Sequence, residues 1–346
     1  MEHVNCIICN MDDTHLLVKK ISFNVVQCNG CGLVYLNPRL GEDELAELYN
    51  VSANSTVERI TVSQREEEHD VHKIKKFKKA INLLKKHKRD IENIFDLGCS
   101  TGIFLGMVAK EGWTPYGSDV NCNLVEKNQM SYGDRVKIQA GNRIDFPDQY
   151  FDAVTLFDSI EHMPNPISTL KEVARVVKDN GLVVISTPNV NGLFPRLTFY
   201  LLCKTISAWE HPTPPGHVFQ FSKRTLRKTL KKAGFEWIDS RNFEIFRPYT
   251  VGELENSIIN VLRRRNNKTT KNHGHETWSN ETTKLDNNHV SIKAFFPVRK
   301  LPRLLMHEFC LWMVITIYPL AKLLGYGDSM VVVARKARKD GMKTYE

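Results

Sequence analysis

From residue 91 onward the apolar positions switch repeatedly between two patterns. Short consecutive runs at Ile91–Leu97, Trp113–Asp119, Val136–Ala140, Phe151–Phe157 and Leu182–Thr187 predict strands. Between them, apolar residues recur at helical spacing over Phe104–Glu111, over Asn123–Ser131, and at Leu170, Val173, Ala174 and Val177. Leu226, Leu230 and Ala233 mark a further helix, Phe235–Phe246 holds a sixth strand, and Met330–Arg335 is a late strand. Such alternation predicts an α/β fold, a doubly wound Rossmann-like seven-stranded sheet with helices on both faces. Upstream, Ile74, Phe77, Ile81 and Leu84 form the apolar stripe of a helix whose other faces carry lysines. Its expected place is against the sheet, before the first strand.

The pattern divides the chain into a head at 1–37, a helical connector at 38–90 and a core at 91–248. The core carries an apolar insertion at 191–216. A second insertion, 249–328, has a polar middle and an apolar, proline-broken end. A last strand and basic tail follow at 329–346. Within the connector, Glu42–Tyr49 predicts one short helix.

Four of the eight cysteines fall in the head as Cys6-x-x-Cys9 and Cys28-x-x-Cys31. Two such turns present four sulfurs to one tetrahedral ion, the spacing of a zinc ribbon. With every position taken by thiolate, no open site remains for water, so the ion's expected role is structural. Leu16–Val18 and Phe23–Val25 are the ribbon's expected strands, and Gly30 and Gly32 ease the turn at Cys31. The remaining cysteines, Cys99, Cys122, Cys203 and Cys310, are expected as small apolar side chains.

The first strand of the core runs into Asp96-Leu97-Gly98-Cys99-Ser100-Thr101-Gly102. A glycine turn between strand and helix lets a ligand approach the backbone, where helix N–H groups lack partners. Gly98, Gly102 and Gly106 are each four residues apart, not the G-x-G-x-x-G of a pyrophosphate site. The Asp96 charge likewise disfavours a diphosphate and favours an amino group or a sulfonium. Asp119, ending the second strand, is placed to accept hydrogen bonds from two ribose hydroxyls. The missing fingerprint argues against a nicotinamide oxidoreductase.

Charge changes the picture only locally. Much of the net charge of +9 sits at 73–89 and 263–271. Met1-Glu2-His3 opens into polar sequence and cysteines rather than a signal peptide, so a cytoplasmic, reducing setting is expected. The apolar segments 193–203 and 301–324 leave the sheet where substrate would enter. They are expected either to pack together as extra core or to contact a membrane surface peripherally.

The third strand end carrying chemistry is Asp158-Ser159-Ile160-Glu161-His162. Together with Asp145-Phe146-Pro147, Phe151-Asp152-Ala153-Val154, Arg175-Val176-Val177-Lys178, Ser186-Thr187-Pro188-Asn189 and His217–Ser222, in this order, the chain resembles class I S-adenosylmethionine-dependent methyltransferases over about residues 72–248 plus the last strand. Ser100 stands where that family commonly has glycine, and Ser118 where it has an apolar residue.

The resemblance implies roles by position. Asp96, Gly98, Cys99 and Gly102 would hold the methionine end of S-adenosylmethionine, Asp119 the ribose, and Asn142 the adenine. Phe157 and Asp158 would border the sulfonium. The reaction is a displacement in which a nucleophile attacks the methyl carbon in line with the departing sulfur, with a base if the acceptor must lose a proton.

His162 and His217 are the candidate bases, with Glu161 beside them. Asp158, Glu161 and His162 are similar to the carboxylate–histidine cluster of quinone-pathway O-methyltransferases, which implies magnesium or manganese. The alternatives are a histidine base without metal and a purely structural loop. A zinc ribbon before such a core also resembles sugar C-methyltransferases, which tilts the expected acceptor towards a sugar, glycan or lipid-linked small molecule. An RNA methyltransferase gripping nucleic acid through ribbon and basic helix is a less favoured alternative, since no aromatic-rich RNA motif supports it. A non-catalytic cofactor-binding relative is another.

Overall fold

The computed structural model describes residues 1–19, 23–45, 47–48, 64–139, 143–199, 215–243, 312, 316 and 326–337. The head supplies β1 (Thr14–Lys19), β2 (Asn24–Cys28) and β3 (Val34–Leu36), paired antiparallel in that order. After the connector, α1 (Gln64–His87) leads into a core of seven strands. These are β4 (Asn93–Leu97), β5 (Thr114–Asp119), β6 (Val136–Ile138), β7 (Phe151–Phe157), β8 (Val177–Pro188), β10 (Phe235–Phe243) and β11 (Ser329–Lys336). Their order is β10-β11-β8-β7-β4-β5-β6, with β11 antiparallel to both neighbours and the strands from β8 to β6 mutually parallel. The seven-stranded α/β expectation is met.

Alternate strand residues feed two cores. On one face, Ile94, Ala153, Leu182, Val184, Val331 and Val333 pack under α1 and α2 (Ile103–Lys110). Phe104, Leu105 and Val108 of α2 are at most 1% exposed, each contributing about 1.5–3 kcal/mol by leaving water. On the other face, Phe95, Val154, Leu156, Val183, Ile185 and Val332 pack under α4 (Pro166–Val176) and α6 (Lys223–Lys232). Between β5 and β6, α3 (Cys122–Tyr132) starts on the Asn121 cap, whose side chain accepts from the Leu124 N–H. After β8 the chain enters α5 (Leu193–Thr198).

The ribbon is not a detached bead. Its sheet takes a fourth strand from the core segment, β9 (Phe219–Gln220), through the pairs Val34↔Gln220 and Tyr35↔Phe219. Cys6, Ile8, Val26, Leu33 and Tyr35 join the same apolar cluster as the α4 and α6 face of the large sheet.

Most of the predicted elements fall within a few residues of those observed, with two instructive differences. β8 starts at Val177, not Leu182, because Val177 already pairs with Phe151; Asn180, with a positive φ of 61°, lies in the irregularity between that pair and Ala153↔Leu182. Lys76 was expected on a solvent face but is buried, 6% exposed. Residues 42–45 and 47–48 are helical as anticipated, whereas Tyr49 and nearly all of 301–324 lie outside the described residues. Of the scattered cysteines, Cys99 is buried and Cys122 is exposed, contrary to the expectation for the latter; Cys203 and Cys310 are outside the described residues. Among the described residues, no helix is long and apolar enough to cross a membrane.

Candidate functional site

A parallel sheet whose strand order reverses leaves a crevice beyond the strand ends. Here the reversal lies between β4 and β7, and a cavity of about 420 Å³ opens there. Its floor is the Asp96–Thr101 turn, with Asp119, Phe157, Asp158 and His162 around it. The turn closes on β5, the Gly98 and Cys99 N–H groups both donating to the Ser118 carbonyl (2.8 and 2.9 Å). Gly98 and Gly102 hold φ values of 85° and 76°. A Cβ at Gly102 would lie 2.0 Å from Asn128 Oδ1, so no larger residue fits. Ser100 takes a positive φ of 46°, and its N–H donates to Asp119 Oδ2 at 2.8 Å.

Asp119 accepts from the Ser100 and Asn121 N–H groups, one on each carboxylate oxygen, which fixes the group at the cavity edge. Asp96 is buried at 3% exposure and accepts from the Thr155 hydroxyl at 2.6 Å across the β4–β7 pair. Burial pushes its carboxyl up to about 8, against the Thr155 hydrogen bond and with help from the Asp119 charge. A cationic ligand group brought beside it reverses that shift.

Asp158 follows β7 with a φ of 49°, its N–H donating to the Ser186 carbonyl and its Oδ1 accepting from the Ser186 hydroxyl at 2.8 Å. Lys76 of α1 donates to its other oxygen. Burial works to raise this carboxyl, but the Lys76 charge and the Lys76 and Ser186 hydrogen bonds hold it below the usual carboxylate range. Phe77 of α1 stands beside Phe104 and Phe157, with centroids 5.4 and 4.7 Å away, forming an aromatic wall on the cavity. Aromatic faces attract cations.

His162 lines the cavity, and its Nδ1 lies 2.9 Å from the Gly216 carbonyl. A carbonyl only accepts, so Nδ1 carries the proton and Nε2 is the basic nitrogen of the neutral ring. Burial lowers its pKa below the usual imidazole value, offset in part by Gly216 and Asp158. His217 does not line the cavity; its ring packs edge-on against His162, 4.6 Å between centroids. Glu161 lies behind the loop at 1% exposure, Oε2 accepting from the Thr187 hydroxyl at 2.9 Å and Oε1 with no partner. Burial, then the Asp158 charge, raises it to about 8, so at neutrality it is mainly the neutral acid.

The expected metal cluster at Asp158, Glu161 and His162 is not assembled. Among the described residues, only the four head cysteines bring their ligand atoms within 4.8 Å of one another. The Lys76 ammonium pairs with one Asp158 oxygen, and one Glu161 oxygen accepts from Thr187.

The head cysteines do converge. Cys6 and Cys31 sulfurs are 3.4 Å apart, Cys9 and Cys28 sulfurs 3.3 Å apart, and none is in a disulfide. Four thiolates around zinc stand about 3.8 Å from one another at metal–sulfur distances of about 2.3 Å. Backbone N–H groups of Ile8 and Cys9 point at the Cys6 sulfur, that of Cys31 at Cys28, and that of Leu33 at Cys31. Burial raises the Cys6 and Cys31 thiols above their usual value; these donors work against it, towards the thiolate a metal needs. The donor set therefore fits zinc.

Asp96, Gly98, Cys99, Asp119, Phe157 and Asp158 are thus gathered on one cavity, with Gly102 shaping its turn. Asn142 lies outside the described residues. Sequence reasoning missed Glu42, Leu45, Lys73, Lys76 and Phe77, of which all but Lys76 line the cavity. Lys76 shares a helix face with Ala80 and Leu83, one and two turns on and both buried, but nothing in its local pattern sets it apart from the other lysines of α1.

Residues 67–240 match the family model of a methyltransferase domain. A ubiquinone biosynthesis O-methyltransferase from Klebsiella pneumoniae is 31% identical over 113 residues, covering 29% of this chain and 44% of that protein. A probable S-adenosylmethionine-dependent methyltransferase from Mycolicibacterium smegmatis is 28% identical over 156 residues, 44% of this chain and 56% of that one. The chain therefore spans about half the length of these curated relatives. Among solved structures, a SAM-dependent methyltransferase from Archaeoglobus fulgidus is 18% identical with a TM-score of 0.41, covering 75% of this chain and 94% of that one.

Proposed function

The chain belongs to the methyltransferase domain family, and from that premise we propose that it transfers a methyl group from S-adenosylmethionine to a small acceptor. The observation that carries this reading is Asp119, held by two backbone amides at the rim of the cavity whose floor is the Asp96–Thr101 turn. When bound, S-adenosylmethionine supplies an electrophilic methyl on a positively charged sulfur. Asp119 would accept from its ribose hydroxyls, Asp96 and the glycine turn would hold its amino-acid end, and Phe77, Phe104 and Phe157 would line its sulfonium side.

The acceptor in this reading is a hydroxyl or carbon of a sugar, glycan or lipid-linked metabolite. The name of the Klebsiella relative, a ubiquinone biosynthesis O-methyltransferase, supports a small acceptor hydroxyl. His162 is the general base: Gly216 fixes its tautomer, and burial keeps the ring neutral at physiological pH. Glu161, buried and mainly protonated, supports the loop rather than taking the proton. Cys6, Cys9, Cys28 and Cys31 hold a structural zinc that folds the head.

Calorimetry on the full chain tests the cofactor. S-adenosylhomocysteine is expected to bind saturably and a nicotinamide dinucleotide not at all; the opposite pair of results overturns the reading.

A further inference from the structure

The four-thiolate head sits away from the cavity, yet three connections run from it to the histidine loop. The second cysteine turn continues directly into β3, which pairs with β9. At the end of that pairing the Leu36 N–H donates to the Val218 carbonyl at 3.0 Å, and the Val218 N–H in turn donates to the Glu161 carbonyl at 3.0 Å. Residue 218 is thus held between the ribbon and the loop that carries His162. On its other side, Gly216 accepts from His162 Nδ1.

The third connection is Arg39, just beyond β3 and 8% exposed. Its Nη1 donates to the Pro164 carbonyl at 2.6 Å, at the end of the same loop. Its Nε and Nη2 bind Glu2 at 2.9 Å, and its guanidinium lies 5.8 Å from the Phe219 ring centre. One buried cation therefore ties the start of the chain, β9 and the histidine loop together. Charged hydrogen bonds of this kind are strong and directional, and a lysine cannot reproduce the fork. Glu42 and Leu45, immediately downstream, line the cavity itself.

We propose that the metal-bearing head is a positioning element of the active site: the β3–β9 pairing and Arg39 set residues 161–164 and 216–218, and so place His162, only while the head is folded around its metal. Arg39 is the positioning residue that transmits this. The inference rests on the reading of His162 as the base. The histidine loop meets the cofactor turn upstream of these connections, where the Ser159 hydroxyl donates to the Leu97 carbonyl at 3.1 Å; Arg39 and Val218 hold only its far end, at Glu161 and Pro164, so cofactor binding and histidine placement separate experimentally.

The test uses the full chain with zinc bound, the same chain stripped by a chelator, and Arg39→Ala and Arg39→Lys with zinc retained. S-adenosylhomocysteine affinity is read by calorimetry, the His162 ring by NMR, and the Val218 amide by hydrogen exchange. Removing zinc is expected to leave affinity within about threefold, while Val218 exchange rises by about tenfold or more and the His162 resonances move. Arg39→Ala is expected to move the His162 resonances without zinc loss, and Arg39→Lys to restore them only in part. Unchanged His162 and Val218 signals in both the stripped chain and Arg39→Ala overturn the proposal. So does a stripped chain that loses ligand binding and protection throughout, since the head would then hold up the whole fold. Failure of the zinc-loaded chain to bind S-adenosylhomocysteine counts against the methyltransferase reading instead.

Discussion

The Lys76 ammonium on α1 meets the Asp158 carboxylate at the end of β7, 82 residues further along the chain. The pair pins the helix preceding the sheet to the strand end that faces the cavity. Lys76 is buried, so it does not survive unpaired without penalty, whereas Asp158 opens on the cavity.

From that asymmetry, Lys76→Met and Asp158→Asn are each expected to lower the thermal midpoint, with the double variant losing less than their sum. The coupling in a double-mutant cycle should be roughly 0.5–1.5 kcal/mol, the lower part of the usual range, because solvent reaching Asp158 screens the pair. Urea unfolding of the four proteins measures it. Strict additivity shows that the two residues do not support one another.

Asp119 has two tasks, holding the turn amides and facing the cavity, and variants separate them. Asp119→Asn keeps an acceptor oxygen for one amide but loses the charge; Asp119→Ala loses both. With charged hydrogen bonds contributing about 1.5–3 kcal/mol each, S-adenosylhomocysteine affinity should fall about tenfold or more in Asp119→Asn and further in Asp119→Ala. Calorimetry reads both. Equal affinity in wild type and Asp119→Ala removes the carboxylate from the binding site.

The parts of this site legible in the sequence were those whose chemistry is local. The turn from Asp96 to Gly102 announces itself through Gly102, where only glycine fits against Asn128. The C-x-x-C pairs likewise fix a metal geometry within a few residues each, and their sulfurs converge as expected. What the sequence hid depends on pairing at long range. Lys76 looked like one more lysine on a basic helix until β7 came beside it. The ribbon's fourth strand is two residues from the core segment, too short to carry a periodic signal. The cluster of Asp158, Glu161 and His162 had the right spacing for a metal, but its ligand atoms do not converge, and Lys76 and Thr187 each hold one oxygen of its two carboxyl groups.

His162→Gln keeps a polar side chain of similar reach and removes the base. Methyl transfer to an acceptor that must lose its proton is expected to slow by about 10²–10⁴, with S-adenosylhomocysteine affinity unchanged. In the wild type, kcat/KM should fall as pH drops, with its acid limb below the ordinary imidazole range, because burial lowers the His162 pKa. A limb that persists in His162→Gln assigns the titration to another group.

Asp96 gives a prediction that needs no acceptor. Its carboxyl, raised to about 8 chiefly by burial, is mainly protonated at pH 7 in the ligand-free chain. An ammonium group bound beside it stabilises the ionised form, so binding of S-adenosylhomocysteine should release a proton. Calorimetry at pH 7 in two buffers of different ionisation enthalpy should show release approaching about one proton per ligand, vanishing above the Asp96 pKa. Asp96→Asn should abolish the buffer dependence, whereas Glu161→Gln, equally raised but turned away to Thr187, should keep it. The same two groups set a slope in stability. Each holds its proton when folded at pH values where the unfolded chain has lost it, so their contribution declines as pH rises from about 4 through 8. The thermal midpoint should therefore fall between pH 6 and about 8.5, less steeply in each variant than in wild type. A slope unchanged in both Asp96→Asn and Glu161→Gln shows that neither carboxyl is raised.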